Sequence, residues 1–236
     1  MKGEGTMAMD FEREKLAAAR RSLDYVKDGM LVGLGTGSAA AHAVRLLAER
    51  VKDGLRIRCI PTSRRTAELA RSLGIPMTSF DETARLDVTI DGTDEFDPDL
   101  DLVKGGGGAL LHEKIVAAAS DRLVIVCESK KRVPVLGTSG MPLPVEVVPF
   151  GWPVVAAALG RMEGQPALRL SAPEEPFQTD EGNYILDCRF PDLSDAAALA
   201  ERLERMTGVV EHGLFLKLAS VVIMGQGDGS ALFTRS

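Results

Sequence analysis

Three stretches of this chain carry the residue types that proton transfer at a carbon acid requires. The first is Lys104-Gly105-Gly106-Gly107-Gly108. Consecutive glycines lose much backbone entropy on folding, so such a run marks a place where the main chain passes close to something else. Amides of such a loop are free to face a developing oxyanion, and Lys104 adds a positive charge at its edge. Glu113 stands in the helix expected to follow. A carboxylate supplies a base, and a lysine with an amide-lined loop supplies an electrophile for an enediolate. Taken alone, Glu113 reads more readily as a solvated helix residue; the neighbouring loop gives it a second meaning.

The second stretch is Asp91-Gly92-Thr93-Asp94-Glu95-Phe96-Asp97, after an apolar run. In an open α/β sheet the ligand crevice lies at the carboxyl ends of the strands, which suits Asp91 and Asp94. Clustered Asp and Gly are also ordinary turn residues, and the spacing is not that of a calcium loop. The third stretch is Gly33-Leu34-Gly35-Thr36-Gly37-Ser38. Backbone N–H groups at a strand-to-helix turn favour an anion, and Thr36 and Ser38 add hydroxyls. A dinucleotide fingerprint would read G-x-G-x-x-G, with an acid ending the second strand; here that strand runs into Ile60-Pro61-Thr62. Glu128-Ser129-Lys130-Lys131 ends a further strand and brings another lysine to the same kind of edge, or is a surface charge pair.

The elements that must hold these residues follow from periodicity. Leu16, Ala19, Leu23 and Val26 recur at helical spacing, with Gly29 as a stop. Strands are expected over 30–35, 55–60, 86–91 and 122–127. Helices are expected from Ser38, as the cap, to Gly54, and over 64–73 and 109–119. That alternation implies βαβ units and a mainly parallel sheet. Pro134, Gly137, Gly140, Pro142 and Pro144 mark a crossing. Beyond it the order reads strand 145–150, helix 153–162, strands 167–170 and 183–189, helix 195–206 and strand 209–211, a βαββαβ ferredoxin-like unit. Segments 221–224 and 231–234 read as β structure returning to the first domain. The expected fold class is therefore α/β: a Rossmann-like, mainly parallel sheet domain over 1–134 and 212–236, and a smaller ferredoxin-like α+β domain over 135–211.

Composition narrows the classes. The 236 residues are 45% hydrophobic and 26% charged, as in an ordinary globular protein. No apolar run approaches the ~18 residues of a membrane span. Met1 to Asp10 is polar, without the apolar core of a signal peptide, and reads as a frayed tail. A net charge of −6 argues against nucleic acid as the main partner, yet a few lysines in a cleft can still attract a small anion. Cys59, Cys127 and Cys188 lie in separate apolar runs and read as reduced and buried. His42, His112 and His212 are too scattered for a zinc site, so no metal site is expected.

Taken together, these motifs, with Pro142-Leu143-Pro144-Val145-Glu146-Val147, resemble the A-type family of ribose-5-phosphate isomerases, from about Leu16 to Met224. The resemblance implies a cytoplasmic homo-oligomer, dimer or tetramer, acting in the pentose phosphate pathway. It implies interconversion of ribose 5-phosphate and ribulose 5-phosphate without a metal or organic cofactor. Glu113 matches the family's proton acceptor. Asp91, Asp94 and Lys104 match its sugar-binding and catalytic positions, with Gly92, Thr93, Gly105, Gly106 and Gly107 beside them. Thr36, Gly37, Ser38 and Ala39 match the substrate loop, Lys130 a substrate-binding lysine, and Lys15 a lysine that reaches the phosphate. The family loop often carries Thr where this chain has Ala39, so one hydroxyl donor is missing. Similar folds also serve coenzyme A transferases and sugar-sensing regulators; the first helix runs straight into the glycine turn and leaves no room for a helix-turn-helix.

Overall fold

The structure, a computed structural model, describes residues 2–234, with side chains from residue 10 onward. In chain order its elements are α1 (Lys2–Ser22), β1 (Leu31–Leu34), α2 (Ser38–Lys52), β2 (Arg58–Pro61), α3 (Arg64–Ser72) and β3 (Val88–Asp91). Next come β4 (Glu95–Phe96), β5 (Leu102–Val103), α4 (Leu110–Ala118), β6 (Leu123–Cys127), β7 (Leu143–Val147), α5 (Trp152–Gly160) and β8 (Gln165–Leu168). The chain ends with β9 (Leu170–Ala172), β10 (Glu175–Pro176), β11 (Tyr184–Arg189), α6 (Ala196–Glu204), β12 (Val209–His212), β13 (Leu214–Phe215), β14 (Val221–Gln226) and β15 (Gly229–Thr234). They form two compact units, Met1–Thr93 with His112–Lys131 and Leu218–Ser236, and Asp94–Leu111 with Arg132–Lys217.

The first unit is built on a six-stranded sheet in the order β15-β14-β6-β3-β1-β2. Every pairing is parallel except the β14–β15 hairpin at one edge. Parallel strands buried on both faces need continuous apolar runs, and Leu123–Cys127 is buried throughout. Leu47 of α2, Ala18 and Ala19 of α1, and Val32, Ile90, Val124 and Ile223 of the sheet share one core. Each such Leu, Ile or Val contributes roughly 1.5–3 kcal/mol by leaving water. Because β2 flanks β1 on one side and β3 on the other, the strand order reverses there, and the carboxyl ends of β1 and β3 frame the crevice of this sheet.

The second unit contains a four-stranded antiparallel sheet in the order β12-β7-β11-β8. With α5 and α6 this is the βαββαβ unit expected from the sequence. Val145, Val147, Leu159, Leu186 and Leu203 fill its core. A separate small sheet, β13-β5-β4, belongs to the same unit.

Local departures have local causes. The stretch read as a frayed tail is helical from residue 2; Met7, Ala8 and Met9 are good helix formers that extend α1 backward. Ser38 is the first residue of α2, and Gly37, at φ 108 and ψ 174, is its cap. Only glycine adopts that backbone readily. The strand expected over 55–60 begins at Arg58, because the Leu55 amide closes on the Arg50 carbonyl at the end of α2.

Candidate active site

In the first unit, the turn after β1 and the end of β3 are pressed together. A side chain on Gly33 would strike Thr89 and Val116, and one on Gly35 would strike Asp91. Both glycines are therefore needed for close approach, apart from any ligand. Asp91 is fully buried, and its Oδ1 accepts from the Thr36 amide at 3.0 Å and the Gly92 amide at 2.7 Å. The carboxylate thus fixes the direction in which the glycine turn leaves the sheet. Gly37 and Ser38 follow at the exposed start of α2. With no side chain capping that end, its first amides and the positive end of the helix dipole suit an anion.

Two residues of this loop also pack against the fold around it. The Thr36 hydroxyl lies 2.8 Å from Thr62 Oγ1, 2.8 Å from Ser63 Oγ and 3.1 Å from Thr66 Oγ1. A hydroxyl has one hydrogen and two lone pairs; Thr36 gives its hydrogen to Ser63, and the cluster ties the turn to α3, which Ser63 caps. Ala39 is buried in the apolar core.

Lys15 sits on α1 with its side chain 12% exposed and its ammonium 2.6 Å from Glu12. Glu12 also meets His42 of α2 at 3.0 Å. Hydrogen bonds from Lys15, then His42, hold the Glu12 carboxyl below the usual carboxylate range. The same glutamate therefore tethers Lys15 to the helix that starts at Ser38. Lys130 pairs with buried Glu128 at 3.3 Å and lies over the Phe11 ring at 4.7 Å. Glu14, which no spacing signalled, accepts from the Ser129 amide and hydroxyl at 2.9 and 2.8 Å. It thereby fastens the turn carrying Lys130 to α1. Glu113, in the first turn of α4, is only 5% exposed. It is not the solvated helix residue that statistics favour.

In the second unit, Asp94 follows Thr93 directly and accepts from the Gly106 amide at 2.7 Å. Its own amide bonds the Val103 carbonyl at 2.9 Å. Lys104 leaves β5 with its side chain 2% exposed, and its ammonium is 5.4 Å from the centre of the Phe215 ring. Its amide bonds the Gly213 carbonyl at 2.8 Å. Gly105 is buried, whereas Gly106 and Gly107 are exposed. Gly108, at φ 79, leaves no room for a side chain beside Phe177. Glu95 is fully buried and accepts from the Gly137 and Ser139 amides at 2.5 and 3.0 Å, so the third acid of this stretch holds the crossing loop. Among the described residues, no group of three or more His, Cys, Asp or Glu side chains is placed to hold a metal ion, and no helix is long and apolar enough to cross a membrane.

The site residues thus fall into two groups. Asp91, the 36–39 turn, Lys15, Lys130 and Glu113 belong to the first unit, and Asp94, Lys104 and the glycine loop to the second. Comparison with known proteins adds to this geometry. The family model for ribose 5-phosphate isomerase A (phosphoriboisomerase A) matches residues 58–229. Ribose-5-phosphate isomerase A of Jannaschia sp. is 50% identical over 93% of this chain and 86% of its own length. That of Gloeobacter violaceus is 52% identical over 97% of this chain and 99% of its own. A solved D-ribose-5-phosphate isomerase in complex with phospho-erythronic acid superposes with a TM-score of 0.92 at 36% identity, covering 95% of this chain and 99% of that one. Sequence and fold agree along almost the whole length, and the chain belongs to the ribose 5-phosphate isomerase A family.

Proposed function

We propose that this chain interconverts D-ribose 5-phosphate and D-ribulose 5-phosphate through an enediolate, with Glu113 as the base. The observation that carries this reading is the burial of Glu113 and Lys104, at 5% and 2% exposure, on either side of the glycine loop in the sequence. Buried carboxylates and ammonium groups are costly, and an isomerase uses both. The phosphate is anchored by the amides that open α2, the Ser38 hydroxyl, Lys15 and Lys130. Thr36 holds the turn in shape rather than touching the ligand through its hydroxyl. Asp91 and Asp94 assist ring opening and move a proton between O1 and O2. Glu113 removes the C2 proton of the open aldose. The electron pair moves toward the C1 carbonyl, and the oxygen that gains charge is met by Lys104 and the loop amides, a contact worth ~3–4 kcal/mol in the transition state. Glu113 then returns the proton to C1.

The test is Glu113→Gln. The variant should keep its fold and its affinity for phospho-erythronic acid, whose carboxylate resembles the planar enediolate, while turnover falls by ~10²–10⁴. Near wild-type turnover would remove Glu113 from the mechanism. The same reading places the protein in the cytoplasm, in the pentose phosphate pathway, as a homo-oligomer. The free, buried cysteines fit a reducing compartment. Phe150 and Val154, 99% and 72% exposed, offer an apolar surface of the kind a second copy covers. Light scattering of the wild type and of Phe150→Ser tests that arrangement.

A further inference from the structure

We infer that Arg169 is a positioning residue for the glycine loop and sets the orientation of its peptides for the reaction proposed above. Arg169 lies between β8 and β9, with its side chain 15% exposed. Its Nη1 donates to the Gly105 carbonyl at 3.1 Å and to the Gly106 carbonyl at 3.2 Å. The rest of the guanidinium is locked from behind. Nε donates to Asp187 Oδ2 at 2.9 Å and Nη2 to Asp187 Oδ1 at 2.5 Å. The plane lies 5.7 Å from the centre of the Phe177 ring, the ring that closes over Gly108.

The consequence follows from peptide planarity. In a trans peptide the carbonyl and the N–H point in opposite directions. The Gly105 carbonyl shares its peptide with the Gly106 amide, and the Gly106 carbonyl shares its peptide with the Gly107 amide. With both oxygens drawn to one guanidinium, both N–H groups are turned away from it. The Gly106 amide duly meets Asp94 at 2.7 Å. The Gly107 amide is directed the same way and is available to an oxyanion. Glycine peptides have no side chain to resist a flip, so without Arg169 this pair would sample both orientations. Asp187 balances the charge of Arg169, so the arginine works through the loop and not as a bare cation on the substrate. A lysine could not replace it, because one ammonium cannot hold a bidentate carboxylate and two carbonyls in a planar fork.

The experiment uses the full chain and two readouts. The first is independent of turnover: amide exchange at Gly106, followed by NMR in Arg169→Ala and Arg169→Gln. Exchange at least tenfold faster than wild type, with unchanged exchange in the β6 strand, is expected. Unchanged Gly106 exchange overturns the inference. The second is kinetic. Arg169→Ala should lower kcat by about 100-fold, as a misplaced catalytic group does, with KM within about threefold. Added guanidinium should restore part of kcat, whereas Arg169→Lys should not. A defect confined to KM, or one that guanidinium does not relieve in a variant with wild-type circular dichroism, overturns it as well. A wild-type protein that does not turn over ribose 5-phosphate would refute the proposed function alone, and the exchange measurement would still decide the role of Arg169.

Discussion

Lys104 and Lys130 are both lysines beside a strand end, but their surroundings differ. Lys104 is buried against Phe215, while Lys130 is half-exposed and already paired with Glu128. A buried ammonium suits charge that develops during reaction, and an exposed one suits charge that is present throughout. Lys104→Gln is therefore expected to lower kcat and kcat/KM together, and Lys130→Gln to raise KM with little change in kcat. Steady-state kinetics of the two variants checks this, and a KM-only defect in Lys104→Gln would move that lysine into the anchoring group. The cysteines give a second expectation. Burial pushes the Cys59 and Cys188 thiols up to about 12 from an ordinary 9.0. Burial, with the Glu128 charge second, also raises Cys127. A thiol whose folded pKa is raised stabilises the fold fully below about pH 9, and that contribution is lost as pH climbs toward 12. Ellman's reagent at pH 8 should label none of the 3 cysteines in the native protein and all of them after denaturation. Asp91, Asp94 and Lys104 could be picked out of the sequence as candidates because each stands beside a run of glycines or acids near a strand end, and Glu113 because its helix follows the glycine run. Arg169 could not. It sits in a plain apolar stretch, and its partners Asp187, Gly105 and Gly106 are distant in the chain.

At the level of elements, the helices and the longer strands were legible because their apolar periodicity is set by the faces they bury. The two-residue strands β4, β5 and β13 were not, since β13 finds β5 only through a pairing of distant segments. The β9–β10 hairpin leaves no pattern for a related reason: its burial is too slight to impose alternation. The glycine turn after β1 has the composition of a ligand loop, yet part of its glycine content serves sheet packing. Gly33→Ala should destabilise the protein by at least the ~1–3 kcal/mol of an overpacked site, because Thr89 and Val116 already occupy the space. Gly35→Ala should in addition displace Asp91 and lose turnover. Gly160→Ala, at an open position at the end of α5, should be neutral or stabilise by up to about 1 kcal/mol. Thermal melts of the three variants, with turnover for Gly35→Ala, check the ordering.

For the molecule as a whole, the α/β class and the second unit's βαββαβ order were open to inspection, because alternating strands and helices allow few arrangements. Which residues join which unit was harder to see. The Asp94–Leu111 segment is grouped with the second unit by packing that leaves no periodic trace. The proposed chemistry assigns Asp91 and Asp94 to sugar hydroxyls. Turnover should therefore be unaffected by a strong chelator. Activity that disappears with chelator and returns with a divalent ion would contradict that assignment.

The first unit is interrupted twice in the chain, and its sheet is completed late. The strand β14, buried between β6 and the edge strand β15, comes from Val221–Gln226. During synthesis on the ribosome, at about 5–20 residues per second, the nascent chain makes β1, β2, β3 and β6 long before that strand exists. Meanwhile β6 carries an open edge of Leu, Val and Ile. Such an edge recruits other strands, which makes this interval the one in which a chaperone has something to hold. A nascent chain stalled after Lys217 should be degraded rapidly by added protease across residues 30–130, and one extended through Thr234 and released should resist it.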